Sequence, residues 1–153
     1  MPFLNTKNLG AITWDPASEI EFPSGLPGFE ERRRFVAVHF THTDPVMFLQ
    51  CVDDAALCFM TLPVRAVKPD YRLLVSAEDL ELVGLPADRQ PRIGEDVNCM
   101  AVLSVRETGC TANLLAPVIV NLKNLKAVQA VALEGDYSHQ HPLPAAEVTA
   151  VCS

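Results

Sequence analysis

The chain has 153 residues, of which 49% are hydrophobic and 20% charged, a composition typical of one folded globular domain with a substantial core. Its formal net charge of −7 disfavours direct binding to nucleic acid, whose backbone selects lysine and arginine, and favours a basic partner. No apolar run is long enough to span a membrane and no signal-peptide pattern opens the chain, so we expect a cytoplasmic protein that is not bound to a membrane.

Short strands separated by turns are the predicted elements along most of the chain. Apolar alternation and short apolar runs predict strands at 10–14, 19–22, 34–40, 46–52, 57–62, 71–75, 97–105, 118–120 and 127–133. Both faces of 46–52 are apolar except at Gln50, so we expect that strand to be central. The sequence PSGLPGF at 23–29 predicts a turn because it is rich in glycine, proline and serine. It is not a phosphate-binding loop, because its two glycines have the wrong spacing. We predict another turn at 107–110.

One helix is predicted, beginning after Ser76. The order Ser76-Ala-Glu-Asp79 is that of a capping box, and Gly84 is well placed to end the helix. Many strands, one short helix and no alternation of strand and helix predict an all-β, mainly antiparallel fold, a small β-barrel-like domain. We expect this single domain to span 1–143 and residues 144–153 to form a loosely ordered tail.

The stretch 111–122 joins a polar turn to a run of branched residues and is the most distinctive segment of the chain. The β-branched residues at 118–120 favour a buried strand, and Pro117 can begin it. Asn113 and Asn121 bracket that strand, and amide groups fix backbone or a partner chain without doing chemistry. The asparagines therefore either tie down turns or face a protein partner.

Five cysteines occur, an odd number without a CxxC spacing, which is neither a disulfide framework nor a zinc motif. Cys51, Cys58 and Cys99 lie in apolar strand patterns, where we expect buried thiols. Cys110 in a predicted turn and Cys152 near the end are the expected exposed thiols.

No catalytic constellation is evident. Adjacent acids occur in predicted turns or in the first helical turn, at 30–31, 53–54, 78–79 and 95–96, where structure already favours them. His139 and His141 could imitate a metal site with Cys110 or Cys152, but no further ligand has a known spacing. We therefore expect a protein that is not an enzyme, with no cofactor, metal or small-molecule substrate. The alternative is a small thiol- or metal-dependent enzyme that uses these loop residues.

Several motifs together resemble the FliW family of flagellar assembly factors. They are GLPGFE at 25–30, FLQ at 48–50, TANLLAPVIVN at 111–121, Gln129 and Tyr137. The resemblance runs from about residue 10 to residue 143. It implies a β-barrel-like protein without enzymatic activity that binds flagellin in the cytoplasm as a chaperone. It also implies binding to CsrA, the RNA-binding regulator that represses translation of flagellin mRNA, so that flagellin and CsrA exchange on one protein.

Candidate partner-binding residues follow from the family pattern and from charge. The matched positions are Phe48, Gln50, Asn113, Leu114, Asn121 and Gln129. Each of these also has a structural interpretation, with Phe48 expected in the core and Asn113 and Gln129 expected at the surface. The acids expected to meet the basic regulator CsrA are Asp53, Asp54, Glu78 and Asp79.

Overall fold

The computed structural model describes residues 1–133 and 135–144, which contain eleven strands and two α-helices. The strands are β1 (Phe3–Thr6), β2 (Gly10–Thr13), β3 (Ile20–Glu21), β4 (Arg34–His39), β5 (Met47–Cys51), β6 (Cys58–Pro63), β7 (Val97–Arg106), β8 (Gly109–Ala112), β9 (Val118–Asn121), β10 (Ala127–Gln129) and β11 (His141–Pro142). The helices are α1 (Val64–Val67) and α2 (Ala77–Leu82).

The main sheet has the strand order β10-β9-β7-β6-β5-β4-β3, and each of its neighbouring pairs is antiparallel. β8 continues from β7, β11 pairs with β8, and β1 and β2 form a separate hairpin. At the two ends of the strand order, the Glu21 amide donates to the Leu125 carbonyl at 3.0 Å. The predicted all-β, mainly antiparallel fold is confirmed.

Two apolar clusters pack against the sheet. Consecutive residues of β7 divide between them: Cys99 and Ala101 join one cluster and Met100 joins the other. This division follows from the two-residue period of a strand, which sends neighbouring side chains to opposite faces. β5 lies between β4 and β6, so its predicted central position is confirmed.

The predicted helix is present as α2, and the serine half of the predicted capping box forms. The Ser76 hydroxyl accepts a hydrogen bond from the Asp79 amide at 3.1 Å, and Leu80 is buried beneath the helix. The prediction of one helix was wrong, because the single turn α1 also forms and is anchored by the buried Val64. One turn is too short to produce a periodic pattern in the sequence.

The strand predicted at 71–75 was wrong. This segment is buried at both ends and has no strand partner within the described residues. The Leu74 carbonyl accepts from the Leu133 amide at 3.3 Å, and side chains bind other backbone groups of the segment. The Val75 amide donates to Gln90 Oε1 at 2.7 Å, and Gln90 Nε2 donates to the Val75 carbonyl at 3.0 Å. A glutamine thus takes the place of a neighbouring strand.

The C-terminal part also differs from the prediction. β10 ends at Gln129, so the strand predicted at 127–133 is shorter than expected, although the Ala130 and Ala132 amides still donate to backbone carbonyls.

The turn predicted at 107–110 gives way to β8 at Gly109. Cys110 is only 2% exposed, so its prediction as an exposed thiol was wrong. Strand alternation turns this thiol toward the core.

The tail predicted at 144–153 lies outside the described residues apart from Pro144. Across 1–133 and 135–144, no helix is long and apolar enough to cross a membrane.

Candidate partner-binding site

Asn113 and Gln129 both hold the backbone of Ala116. The Asn113 Oδ1 accepts from the Ala116 amide at 2.9 Å, and the Gln129 Nε2 donates to the Ala116 carbonyl at 3.0 Å. Both side chains are half-buried, and Gln129 lies opposite Val118 in the pairing of β10 with β9. The two amides therefore fix the turn that leads into β9, and each keeps part of its surface accessible.

Leu114, within the same turn, is anchored by a pair of tyrosines. The Tyr71 hydroxyl donates to the Leu114 carbonyl at 2.6 Å, and Leu114 itself is 1% exposed. Tyr137 stacks on Tyr71 with ring centroids 4.3 Å apart, and its hydroxyl accepts from the Arg72 amide at 2.9 Å. Burial raises the pKa of Tyr71, so its phenol stays protonated and remains a donor. The turn before β9 is thus held at Ala116 by the two amides and at Leu114 by the Tyr71 hydroxyl.

Asn121 joins the turn after β9 to the end of α2. Its Nδ2 donates to the Val83 carbonyl at 2.8 Å, and its Oδ1 accepts from the Lys123 amide at 2.9 Å. Asn124 donates to the same Val83 carbonyl at 3.1 Å. Because Asn121 is 3% exposed and both ends of its amide bind backbone, the observed contacts are structural.

Gln50 is fully buried and holds the turn that follows β5. Its Nε2 donates to the carbonyls of Cys51 at 3.0 Å and of Asp54 at 3.1 Å. Within the described part of the chain, its Oε1 has no hydrogen-bond partner. The Gln50 amide thus closes the turn that carries the candidate acids Asp53 and Asp54.

Those two acids are held by arginines. Asp53 accepts from Arg34 at 3.0 Å, which raises the pKa of Arg34, and Arg34 also contacts Glu19 at 3.3 Å. Asp54 pairs with Arg32 at 3.4 Å. The charges of Asp53 and Asp54 are therefore partly neutralised on the surface.

The other two candidate acids are in the first turn of α2. Glu78 is exposed, Asp79 is half-buried, and neither forms an ion pair with any residue of 1–133 or 135–144. Glu78 thus offers its full charge to a partner.

The GLPGF segment forms the predicted turn. Gly25 has φ +69, and a Cβ there would collide with the backbone of Glu30, so only glycine fits. Leu26 and Pro27 cover a small cavity of about 90 Å³ whose wall includes Leu49. Gln129 lines the same cavity. The GLPGF segment and Gln129, which are far apart in the sequence, therefore meet at this cavity.

An open apolar groove runs along the face of β5 that carries Phe48. It has a volume of about 680 Å³ and is lined by Asn8, Leu9, Phe40, His42, Thr43, Phe48, Cys58 and Met60. Phe48 is half-buried against Phe40, with ring centroids 5.8 Å apart, so its predicted place in the core is only partly right. The sequence offered no signal for Phe40 or Met60 beyond their apolar character.

The cysteines bear on the enzyme alternative. Cys51 and Cys99 are buried as predicted, but Cys58 is only partly buried because it lines the groove beside Phe48, so its prediction as a buried thiol was wrong. Burial raises the pKa of Cys58 to about 11 and that of Cys99 to about 12, so both thiols stay protonated near neutral pH and are poor nucleophiles. In the described ranges, no group of three or more His, Cys, Asp or Glu residues is placed to hold a metal ion. Cys152 lies outside those ranges.

The predicted site residues do not form one surface. Asn113, Leu114 and Gln129 meet at the turn before β9, Gln50 holds the turn with the paired acids, and Asn121 lies at the end of α2. Their roles as partner contacts stay predictions. The fold and these sites together define a class of protein. It is a small antiparallel β protein whose loops are fixed by amide side chains, and it presents an apolar groove and an acidic surface.

The chain belongs to the FliW family, whose sequence model, described as FliW protein, matches residues 3–143. It is 32% identical over 146 residues to the flagellar assembly factor FliW of Thermoanaerobacter pseudethanolicus, covering 92% of this chain and 91% of the relative. It is also 32% identical to that of Bacillus subtilis, with coverages of 92% and 95%. A crystal structure of the flagellar assembly factor FliW superimposes with a TM-score of 0.79 at 27% identity, covering 94% of this chain and 98% of that one.

Proposed function

We propose that this protein is a non-enzymatic flagellar assembly factor of the cytoplasm that binds flagellin as a chaperone and binds CsrA, relieving the repression of flagellin mRNA. The observation that carries the proposal is the family match across residues 3–143, together with relatives named as flagellar assembly factors. The net charge of −7 supports a basic partner such as an RNA-binding regulator, chiefly through the association rate.

The groove beside Phe48 is the place we propose for flagellin. An amphipathic helix binds by placing its apolar face in an apolar groove, and the family resemblance implies helical ends for flagellin. Phe40, Phe48 and Met60 offer aromatic and flexible apolar contacts there. Asn8 and Thr43 supply polar groups at the same groove.

A pair of matched substitutions tests the groove. Phe40→Asp introduces a charge into the groove and should weaken flagellin binding by about tenfold or more, because a charge would have to be buried unpaired. Val131→Asp introduces the same charge at a residue that is 57% exposed and outside the groove, and should leave the affinity unchanged. Isothermal titration calorimetry with purified flagellin measures both. Equal effects of the two variants, or no effect of either, would place flagellin elsewhere.

The partner exchange is tested by a three-component competition. The protein is held with CsrA from the same organism, flagellin is titrated in, and CsrA binding to the flagellin leader RNA is followed. We expect RNA binding to return as flagellin is added. If flagellin binds while CsrA remains blocked, the two partners do not exclude each other and the exchange is refuted. If neither partner binds at micromolar concentration, the proposed function fails altogether.

A further inference from the structure

Three arginines line one cleft of a protein that is otherwise acidic. Arg65, Arg72 and Arg92 border a cleft of about 410 Å³ whose remaining lining residues are Leu73, Pro91, Ile93 and Glu95. The chain has 19 acidic and 12 basic residues, so three basic side chains at one cleft run against the overall charge. The cleft shares no lining residue with the groove beside Phe48.

The backbone that carries these arginines is held in place. Arg65 lies in α1, and the Arg72 amide donates to the Tyr137 hydroxyl at 2.9 Å. The Arg92 amide donates to Asp96 Oδ2 at 2.8 Å, and the Arg92 carbonyl accepts from the Asp96 amide at 2.9 Å. The backbone at the three positions is therefore held before any ligand arrives, so binding has to order only the exposed side chains.

Within the part of the chain that the structure describes, two of the three guanidinium groups have no counter-charge. Arg92 contacts Glu95 at 3.3 Å, whereas Arg65 and Arg72 form no ion pair or side-chain hydrogen bond with any residue of the described ranges. Arg32 and Arg34 are paired with acids, whereas Arg33 and Arg106, like Arg65 and Arg72, form no ion pair with any described residue. Arg65 and Arg72 are distinguished by lining one cleft together. The cleft therefore presents two unneutralised positive charges.

We propose that this cleft binds an acidic peptide segment of a partner protein, with carboxylates on the arginines and an adjacent aliphatic side chain on Leu73, Pro91 and Ile93. A guanidinium group presents a fork of donors that matches a carboxylate. Glu95 already contacts Arg92 through one pair of atoms, Nη1 and Oε2, at 3.3 Å. The accessible apolar contact comes chiefly from the half-buried Ile93, because Leu73 and Pro91 are buried, and a peptide side chain can use it whereas a bare anion cannot. Because the rest of the surface repels acidic chains, binding depends on contacts within the cleft.

The probe for the test is the capped peptide acetyl-Leu-Glu-Glu-Leu-Asp-amide, titrated into the ¹⁵N-labelled full-length protein and followed by NMR. We expect saturable shifts of the backbone amides of Arg65, Arg72 and Ile93. Arg72→Gln should weaken binding about three- to fivefold, which is the effect of one exposed ion pair. Arg106→Gln removes an exposed arginine outside the cleft and should change nothing.

Four further arms make the result decisive. Arg65→Gln serves as a second variant, and circular dichroism verifies that each variant is folded. The proposal fails if acetyl-Leu-Gln-Gln-Leu-Asn-amide binds equally well, or if Arg106→Gln weakens binding as much as Arg72→Gln. It also fails if inorganic phosphate alone produces the same saturable shifts, which would indicate a simple anion site. Preferential binding of a short RNA to the same amides would likewise overturn it.

Discussion

Amide side chains bind backbone groups of this protein at places where no neighbouring strand is available. Asn113 and Gln129 share Ala116, Asn121 reaches Val83, and Gln50 closes the turn after β5. A buried backbone group without a partner is costly, and a neutral amide supplies both a donor and an acceptor without the desolvation of a charge. These four amide side chains therefore set the conformation of the loops that they hold, whichever surface a partner contacts.

Asn121 gives the sharpest test at the scale of single residues. Asn121→Ala removes hydrogen bonds to Val83 and Lys123 in a buried setting and should lower the free energy of unfolding by about 1–3 kcal/mol. Asn124→Ala is the matched control, because Asn124 is exposed and its loss should cost less than about 1 kcal/mol. Urea denaturation measures both values. Equal losses would show that burial of the amide is unimportant.

The importance of these amides was predictable from the sequence, but their partners were not. Asn113 reaches only three residues along the chain to Ala116, which is a local turn that polar sequence patterns indicate. Asn121 instead binds Val83, 38 residues away, so its inward direction depends on how α2 packs against the sheet. Long-range packing of this kind leaves no local signal.

At the scale of elements, the cap of α2 is open to direct measurement. Ser76→Ala removes the acceptor for the Asp79 amide and should destabilise the protein by about 1 kcal/mol. Ser76→Asp supplies another good cap and should restore most of that loss. Thermal unfolding followed by circular dichroism compares the variants. Similar losses for both variants would mean that the hydroxyl acts through something other than the cap.

Elements with a local pattern were predicted well, and elements defined by distant partners were not. β4, β5, β6 and β7 carry clear apolar patterns and were expected near their observed positions. The segment 71–75 has the same apolar character, yet Gln90 binds its backbone and no strand does. β11 exists because His141 lies opposite Ala112, and a strand of two residues has no pattern of its own.

For the molecule as a whole, one buried and one partly buried thiol predict a loss of stability at alkaline pH. Cys58 and Cys99 have pKa values raised by burial to about 11 and 12, above their ordinary value near 9.0. Above pH 9 the unfolded chain releases these protons while the folded chain retains them, so stability should fall as pH rises. Urea midpoints between about pH 7 and about pH 10 measure the fall. Cys99→Val should reduce the slope, and an unchanged slope would contradict the assignment.

The acidic surface makes a second prediction at this scale. Glu78→Lys should slow association with CsrA several-fold and leave flagellin binding nearly unchanged, because Glu78 is exposed and its charge is not neutralised. Glu107→Lys changes the net charge equally on a different surface turn and serves as the control. Surface plasmon resonance gives both association rates. Equal slowing by the two variants would indicate net charge rather than a defined acidic contact.

The groove was the part of the candidate site that the sequence could not locate. Its lining residues come from the turn between β1 and β2, the connection between β4 and β5, and the strands β5 and β6. Phe48 was singled out by its motif, whereas Asn8 and Leu9 reach the groove only because the N-terminal hairpin folds beside the sheet. A surface assembled from separate segments has no contiguous motif.

The contact between Glu21 and Leu125 limits how other chains can engage this protein. Exposed sheet edges are templates on which a foreign strand can add through backbone hydrogen bonds. Here the end strands β3 and β10 are only two and three residues long, and the Glu21 amide of β3 donates to Leu125 just before β10. The two ends of the strand order therefore offer few residues for strand addition. We expect recognition at these two ends to depend on side chains, which makes selectivity there a matter of shape and charge.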